Sequence, residues 1–151
     1  MFSIIIVIIS LALFAAFLYA GTNYLKLDSY TIQSYASTVE SNILMLASQF
    51  NAYENLKGYP LQQSNWQDEI YSINRFIPKT LDNTNWSYNN TSGIYFCLSG
   101  NINENQFKAF KKVETNIEGK AFVNTVCGET TSLSYNGSYP VEAAITFWIR
   151  N

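Results

Sequence analysis

Few side chains in this sequence could do chemistry, and none of them is a histidine. Without an imidazole base, the ordinary Ser-His and Cys-His arrangements for nucleophilic catalysis are excluded. Two carboxylate pairs are close enough in sequence to act as acid and base, Asp68 with Glu69 and Glu114 with Glu118. Both lie in segments with a helical pattern, where carboxylates commonly line a solvated face or stabilise the helix dipole. The sequence therefore predicts no catalytic residues and a protein that is not an enzyme.

Metal, phosphate and cofactor sites also lack the residues that they require. The segment SGNINENQ has neither the glycine spacing nor the lysine of a phosphate-binding loop. One polar segment could offer oxygen ligands to calcium, but it lacks the run of carboxylates and the bidentate glutamate of such loops. Its residues are Asp82, Asn83, Asn85, Asn89 and Asn90. We therefore expect no metal, no cofactor and no small-molecule substrate.

The charge of the chain is low. The formal net charge is −2 at pH 7, and charged residues make up 13% of the 151 residues. Lys and Arg form no block anywhere in the sequence, so the basic surface that nucleic-acid binding needs is missing. Nucleic acid is therefore excluded as an expected partner. The polar residues are mainly Asn, Ser, Thr and Tyr, a composition that is common outside the cytoplasm.

The first 20 residues are apolar except for Ser3 and Ser10, and the first charged side chain is Lys26. A helix of this length reaches about 30 Å, the thickness of the hydrocarbon core of a membrane. A buried core helix rarely runs this far without a charge. A cleaved leader would begin with basic residues, and none precedes this apolar run. Residues 1–21 are therefore predicted to be a retained transmembrane helix.

Small residues recur on one side of this predicted span. Ala12, Ala16 and Ala20 are spaced four apart, so they lie on one face of a helix. Small side chains at this spacing let a second helix approach closely in lipid, where packing drives helix association. Alanine can also simply fill an apolar helix, and the spacing alone does not distinguish the two interpretations. The three alanines are predicted contacts for a partner helix.

The apolar pattern continues beyond the span as a stripe with spacings of four and three, formed by Ile32, Ala36, Val39, Ile43, Leu46, Phe50 and Tyr53. This spacing predicts an amphipathic helix over residues 22–57, which Gly58 caps and Pro60 ends. The stripe either packs on the sheet of its own domain or meets a partner helix, and the first interpretation is favoured. Under the second, the predicted partner contacts are Ile32, Val39, Ile43, Leu46 and Phe50.

The two cysteines, Cys97 and Cys127, each follow an apolar or β-branched run and precede a turn. Two thiols in a chain without histidine cannot hold a structural zinc ion, so they are either free buried thiols or a disulfide. A disulfide fits a domain exported behind an N-terminal anchor, because oxidising compartments favour the bond. We therefore predict a Cys97–Cys127 bridge that contributes about 3 to 4 kcal/mol to stability.

The rest of the chain predicts an α+β domain. The segments NWQDEIYSINRF and NENQFKAFKKVETNI have helical patterns, and the predicted strands are IYFCLSG, KAFVNTVC, TSLSY and VEAAITFWI. NTNWSYNNTSG is a predicted loop, from its composition. The expected fold is a long N-terminal helix, the span plus its amphipathic extension, packed on a small antiparallel sheet. Residues 22–151 form one predicted periplasmic domain.

This layout resembles that of type IV pilins, in the residues Met1 to Tyr53, the GYP break at 58–60, and the pair Cys97 and Cys127. The length and the tail AFVNTVCG also resemble the PilM family, small inner-membrane proteins of type IVb thin-pilus systems on conjugative plasmids. The resemblance implies a pilin-like fold and a role in the pilus basal body or in pilin transport. This chain departs from the filament-forming pilins at one position. Those pilins typically carry a glutamate at the fifth mature position, where this chain has Ile5.

Together, these features predict a non-enzymatic component of a type IV pilus assembly machine. It is expected in the bacterial inner membrane, with a single span and a periplasmic C-terminal domain. Its expected partners are the lipid bilayer and other pilus-assembly proteins or pilins. Two other classes stay open: a major or minor filament subunit, and a surface-anchored binding domain unrelated to pili.

Overall fold

The computed structural model describes the backbone of residues 2–150 and, within that range, the side chains of residues 6–21 and 28–150. Its elements are helix α1 (Phe2–Lys57), helix α2 (Trp66–Asn74), strand β1 (Thr84–Asn89), strand β2 (Ile94–Ile102), helix α3 (Glu104–Asn116), strand β3 (Ala121–Asn124) and strand β4 (Val141–Arg150). The strands form one sheet in the order β1-β2-β4-β3, and each neighbouring pair is antiparallel. The predicted α+β class with an antiparallel sheet is therefore confirmed.

Helix α1 is a single element of 56 residues, about 84 Å long at 1.5 Å per residue. The two helical stretches predicted from the sequence therefore form one continuous helix. The helix ends at the predicted place, because Gly58 takes a left-handed φ of 79° and its N–H donates to the Glu54 carbonyl at 2.7 Å. Pro60 follows, and its ring nitrogen cannot continue the helical hydrogen bonding.

Among the residues whose side chains are described, no helical stretch is both long enough and apolar enough to cross a membrane. Residues 1–5 of the predicted span lie outside that set, as do residues 22–27, which follow the span. The transmembrane assignment of residues 1–21 stays a prediction from the sequence.

The hydrophobic core lies between the helices and one face of the sheet. Its members from α1 include Val39, Ile43, Leu46 and Phe50, which have no solvent exposure. Those from the sheet alternate along each strand and include Phe96, Leu98, Val123 and Ile145. Aromatic rings join the layers, because Phe50 contacts Tyr88 of β1 and Trp66 of α2 contacts Phe96. The second half of α1 therefore belongs to the core of the domain.

The predicted apolar stripe of α1 is thus an internal surface. Ile32 lies partly buried at the edge of the core, and packing inside the chain's own domain, the favoured interpretation of the stripe, is confirmed. Side chains without solvent exposure cannot meet a second protein. The partner-contact assignment is therefore wrong for the four fully buried residues, Val39, Ile43, Leu46 and Phe50.

Two local predictions are corrected by the structure. The segment NTNWSYNNTSG, predicted as a loop, contains β1, in which Thr84, Trp86 and Tyr88 are buried in alternation with less buried residues. Its polar residues lie at the outward positions of this edge strand, Asn85, Ser87 and Asn89, and in the turns that flank it. TSLSY, predicted as a strand, forms none. One backbone hydrogen bond, from the Leu133 N–H to the Val123 carbonyl at 2.7 Å, and the side chain of Asn124, which donates to Thr131, tie it to β3.

Candidate functional site

The first half of α1 projects beyond the core. Every residue from 6 to 21 is exposed, and its large apolar side chains keep between 54% and 75% of their surface accessible. Contiguous apolar surface of this extent marks a region that meets lipid or another protein. The chain's own core does not cover it, because Ile32 is the first residue to pack against the core among those of α1 whose side chains are described.

Ala12, Ala16 and Ala20 lie on this exposed half and are themselves exposed. Their spacing places them on one side of a regular helix. A second helix backbone can approach such a side closely. The three alanines are therefore accessible for the predicted contact, and the partner helix itself stays a prediction.

The predicted disulfide is present: Cys97 and Cys127 are bonded, with their Cα atoms 5.8 Å apart. Cys97 lies in β2 between Phe96 and Leu98, which face the helices, so its side chain points to the other face of the sheet. Cys127 belongs to the segment that follows β3, residues 125–128, which we name the strap. The bond holds the strap against the second face of the sheet.

This second face has a small core of its own, formed by Tyr95, Cys97, Ala144 and Trp148. The rings of Tyr95 and Trp148 contact each other, with centroids 4.7 Å apart. Gly128 of the strap passes close to Tyr95 at φ 89°, and a Cβ there would come within 2.8 Å of the tyrosine oxygen. The Gly128 N–H also donates to Thr146 Oγ1 at 2.9 Å. The strap is therefore held by a covalent bond, a hydrogen bond and close packing.

Sequence reasoning missed this second core, although a signal for it exists. The apolar runs in β2 and β4, IYFCL and AAITFW, are nearly continuous rather than alternating. Continuous runs of this length indicate strands that are buried on both faces. These two strands are the central pair of the sheet, and both are buried along most of their length.

The carboxylate pairs considered for catalysis have structural roles or face solvent. Glu69 accepts a backbone N–H from the loop before α2 at 2.8 Å. Glu114 accepts a backbone N–H from β3 at 2.7 Å and forms an ion pair on α3. Their sequence neighbours, Asp68 and Glu118, are exposed. Glu69 and Glu114 hold backbone N–H groups in place, and the two carboxylates of each pair do not face a common cavity.

The polar segment considered for calcium uses its amides to hold loops. Asn89 accepts the N–H groups of Thr91 and Ser92 at 2.9 and 3.3 Å, and Asn90 donates to the Leu61 carbonyl at 2.8 Å. Within the described part of the chain, no three His, Cys, Asp or Glu side chains are grouped as metal ligands would be.

The core changes the acidity of two tyrosines. Burial raises the pKa of Tyr88 from 10.0 to about 12, and the nearby charges of Glu54 and Glu69 add to this shift. The Tyr88 hydroxyl is buried with no hydrogen-bond partner among the described residues. Burial also raises the pKa of Tyr53, and hydrogen bonds with Tyr59 and Glu69 raise it further. These shifts concern stability, because both rings pack in the core.

We expect alkaline pH to destabilise the domain partly through Tyr88. An unfolded tyrosine ionises near pH 10.0, whereas folded Tyr88 keeps its proton to about pH 12. The stabilisation that is present below pH 10.0 is therefore lost as the pH rises to about 12. Tyr88→Phe should reduce this loss and be tolerated at neutral pH, since it removes a buried hydroxyl that lacks a partner. Urea unfolding of both proteins at neutral and alkaline pH measures the difference, and an equal alkaline loss would contradict the assignment to Tyr88.

The candidate functional surface is therefore the exposed half of α1, carried by a helix whose other half is fixed in the core. Residues 6–21 present apolar side chains and no charge. Such a surface suits contact with lipid or with an apolar helix and does not suit chemistry on a substrate.

Comparison of the chain with protein-family models, with curated proteins and with solved structures found no match.

Proposed function

We propose that this chain is a membrane-anchored, non-enzymatic component of a type IV pilus assembly machine, acting in the basal body or in pilin transport. Residues 1–21 anchor it as a single span in the bacterial inner membrane, and residues 22–151 form its periplasmic domain. One observation carries the proposal, the division of α1 into two halves. The helix is continuous, exposed and apolar over residues 6–21, and part of the domain core from Ile32 onward.

Three further features support the proposal. A continuous helix suits an anchor that has to hold a domain in a fixed orientation above a membrane. The Cys97–Cys127 bond suits the periplasm, because disulfides persist there and are rare in the cytoplasm. The order of elements, with a long helix on an antiparallel sheet and a disulfide near the C-terminus, is the layout on which the resemblance to pilins rests.

A second candidate function is a minor filament subunit, because an exposed apolar helix half also suits packing inside a fibre. Ile5 favours the assembly machine over the filament. A filament pilin pairs a carboxylate at this position with the amine of a neighbour, and such pairing sets the register in an apolar surrounding. Isoleucine cannot form that pair. The side chain of Ile5 lies outside the described residues, so this argument rests on sequence alone.

Charge placed in the anchor tests the proposal. Phe14→Lys combined with Leu18→Lys should oppose insertion by about 3 kcal/mol for each lysine near the bilayer centre. We expect this double variant to leave the membrane fraction and to fail to restore pili to cells that lack the gene. The matched control, Phe14→Leu with Leu18→Ile, should insert and restore pili as the wild type does.

Three results would contradict separate parts of the proposal. Normal pili in cells that lack the gene would remove the pilus role. Full membrane retention of the lysine double variant would remove the anchor assignment. An alkaline-phosphatase fusion at Asn151 should be active, and an inactive fusion beside an active cytoplasmic reporter at the same point would reverse the orientation.

A further inference from the structure

One asparagine in the sequence is followed directly by glycine, the pair Asn136 and Gly137. The side-chain amide of an asparagine can be attacked by the backbone nitrogen of the next residue, which makes asparagine one of the thermally labile residues. A Cβ on that next residue hinders the approach, and glycine has none. The pair is therefore the position at which the sequence is most open to chemical modification without an enzyme.

The structure leaves both reacting groups of this pair free. Asn136 and Gly137 are exposed and lie between β3 and β4, outside any helix or strand. Neither the Asn136 side chain nor the Gly137 N–H has a hydrogen-bond partner among the described residues. No hydrogen bond therefore has to break before the amide carbon and the backbone nitrogen meet.

Asn124, at the end of β3, shows the opposite arrangement. Its side-chain nitrogen donates to the Thr131 carbonyl at 3.1 Å and to Thr131 Oγ1 at 2.9 Å. Its side-chain oxygen accepts the Thr125 N–H at 2.7 Å, so the nitrogen that would attack is itself held. Thr125 also carries a branched Cβ. The fold and the sequence both protect Asn124, and it serves as a control for Asn136.

A modification at Asn136 would change its surroundings in two ways. Asn136 lines a cavity of about 570 Å³ between α3 and the loop, together with Lys108. A carboxylate in place of the amide adds one negative charge there and takes the formal net charge from −2 to −3. The loop is held at both sides of the pair, because Tyr135 and Tyr139 contact the Phe107 ring with centroids 5.8 and 6.1 Å away. An isoaspartate would lengthen the backbone between these tyrosines by one methylene.

We propose that Asn136 is a site of spontaneous deamidation in the folded protein. A base in the solvent takes the proton of the Gly137 nitrogen, which attacks Asn136 Cγ and forms a new C–N bond. The C–N bond of the side-chain amide breaks, and its nitrogen takes up a proton and leaves as ammonia. The product is a five-membered succinimide. Water then adds to one of its two carbonyl groups, and the ring opens to aspartate or isoaspartate. No oxidant or reductant is required.

Peptide mapping of the full chain, incubated in detergent at mildly alkaline pH, tests the proposal. Trypsin releases both asparagines on one peptide, 121–150, because Lys120 precedes it and Arg150 is its first basic residue. Each conversion raises the peptide mass by about 1 Da, since a hydroxyl replaces an amide NH2. Folded Asn136 should convert within about tenfold of its rate in protein unfolded by guanidinium chloride, because the fold does not protect it. In the folded protein, Asn124 should convert at less than about a tenth of the Asn136 rate.

Gly137→Ala is the matched variant, because it keeps the amide and adds a Cβ beside the attacking nitrogen. Its conversion in unfolded protein should be about tenfold slower than that of the wild type. The unfolded comparison does not depend on the variant folding, and a Cβ at this position would come within 2.6 Å of the Tyr135 hydroxyl oxygen.

Three results would overturn the proposal. They are protection of folded Asn136 by more than about tenfold, equal conversion of folded Asn124, and an unchanged rate in unfolded Gly137→Ala. None of these results affects the anchor and piliation experiment, so the two proposals can fail separately.

Discussion

Phe50→Ala is expected to lower the free energy of unfolding of the full chain by about 3 to 5 kcal/mol. Phe50 has no solvent exposure, its ring contacts Tyr88 of β1, and the Arg150 guanidinium carbon lies 5.6 Å from its ring centroid. Truncation removes these contacts and leaves a cavity between α1 and the sheet, which the neighbouring side chains can fill only in part. The expected loss is therefore a loss of stability of the folded domain.

Urea unfolding in detergent, followed by tryptophan fluorescence, measures this loss. Leu56→Ala is the matched control, because Leu56 lies further along the same helix and is 67% exposed. Its effect should stay within about 0.5 kcal/mol, as for most surface substitutions. If Phe50→Ala unfolded like the wild type, the stripe of α1 would not be the core, and its assignment as a partner surface would have to be restored.

Replacing both Cys97 and Cys127 by serine is expected to cost about 3 to 4 kcal/mol of stability, the second large effect. The bond joins residues 30 positions apart, and the loop between them contains α3 and β3. Opening it gives the unfolded chain more freedom and releases the strap from the second face of the sheet. Tyr95 and Trp148 then lose part of their cover, which adds to the loss.

Chemical reduction of the wild-type protein is the control for this prediction, because it opens the bond without changing the sequence. Both routes should lower the urea midpoint by a similar amount. Mass spectrometry of peptides before and after reduction should show Cys97 and Cys127 in one linked species. Two thiols that alkylate freely in protein purified without reductant would contradict the bond.

The end of α1 is predictable from sequence because its cause is local. Gly58 accepts a left-handed backbone and Pro60 cannot donate a helical hydrogen bond, whatever surrounds them. The partner of the apolar stripe is not predictable in the same way. A spacing of three and four shows that one helix face is buried, but Val39 and Phe50 would show the same spacing against a sheet or against a second protein.

Strand prediction fails where neighbouring strands decide the outcome. β1 is rich in Asn and Ser, yet Trp86 and Tyr88 alternate into the core and pair with β2 as an edge strand. TSLSY has the composition of a strand, but it meets β3 through a single backbone hydrogen bond, from Leu133, and through the Asn124 side chain, so no ladder forms. Strand formation depends on packing against cross-strand neighbours, which composition does not report.

The candidate surface is predictable only in its apolar part. The composition of residues 6–21 indicates apolar surface directly, and the structure leaves those residues exposed.

The most direct test of the membrane-held role is the distribution of the chain after pili are sheared from piliated cells. We expect it to remain with the inner membrane, to resist extraction at alkaline pH, and to be absent from the sheared filaments that contain pilin. Recovery with the filaments, in constant proportion to pilin, would contradict a role in the assembly machine and would identify a filament subunit.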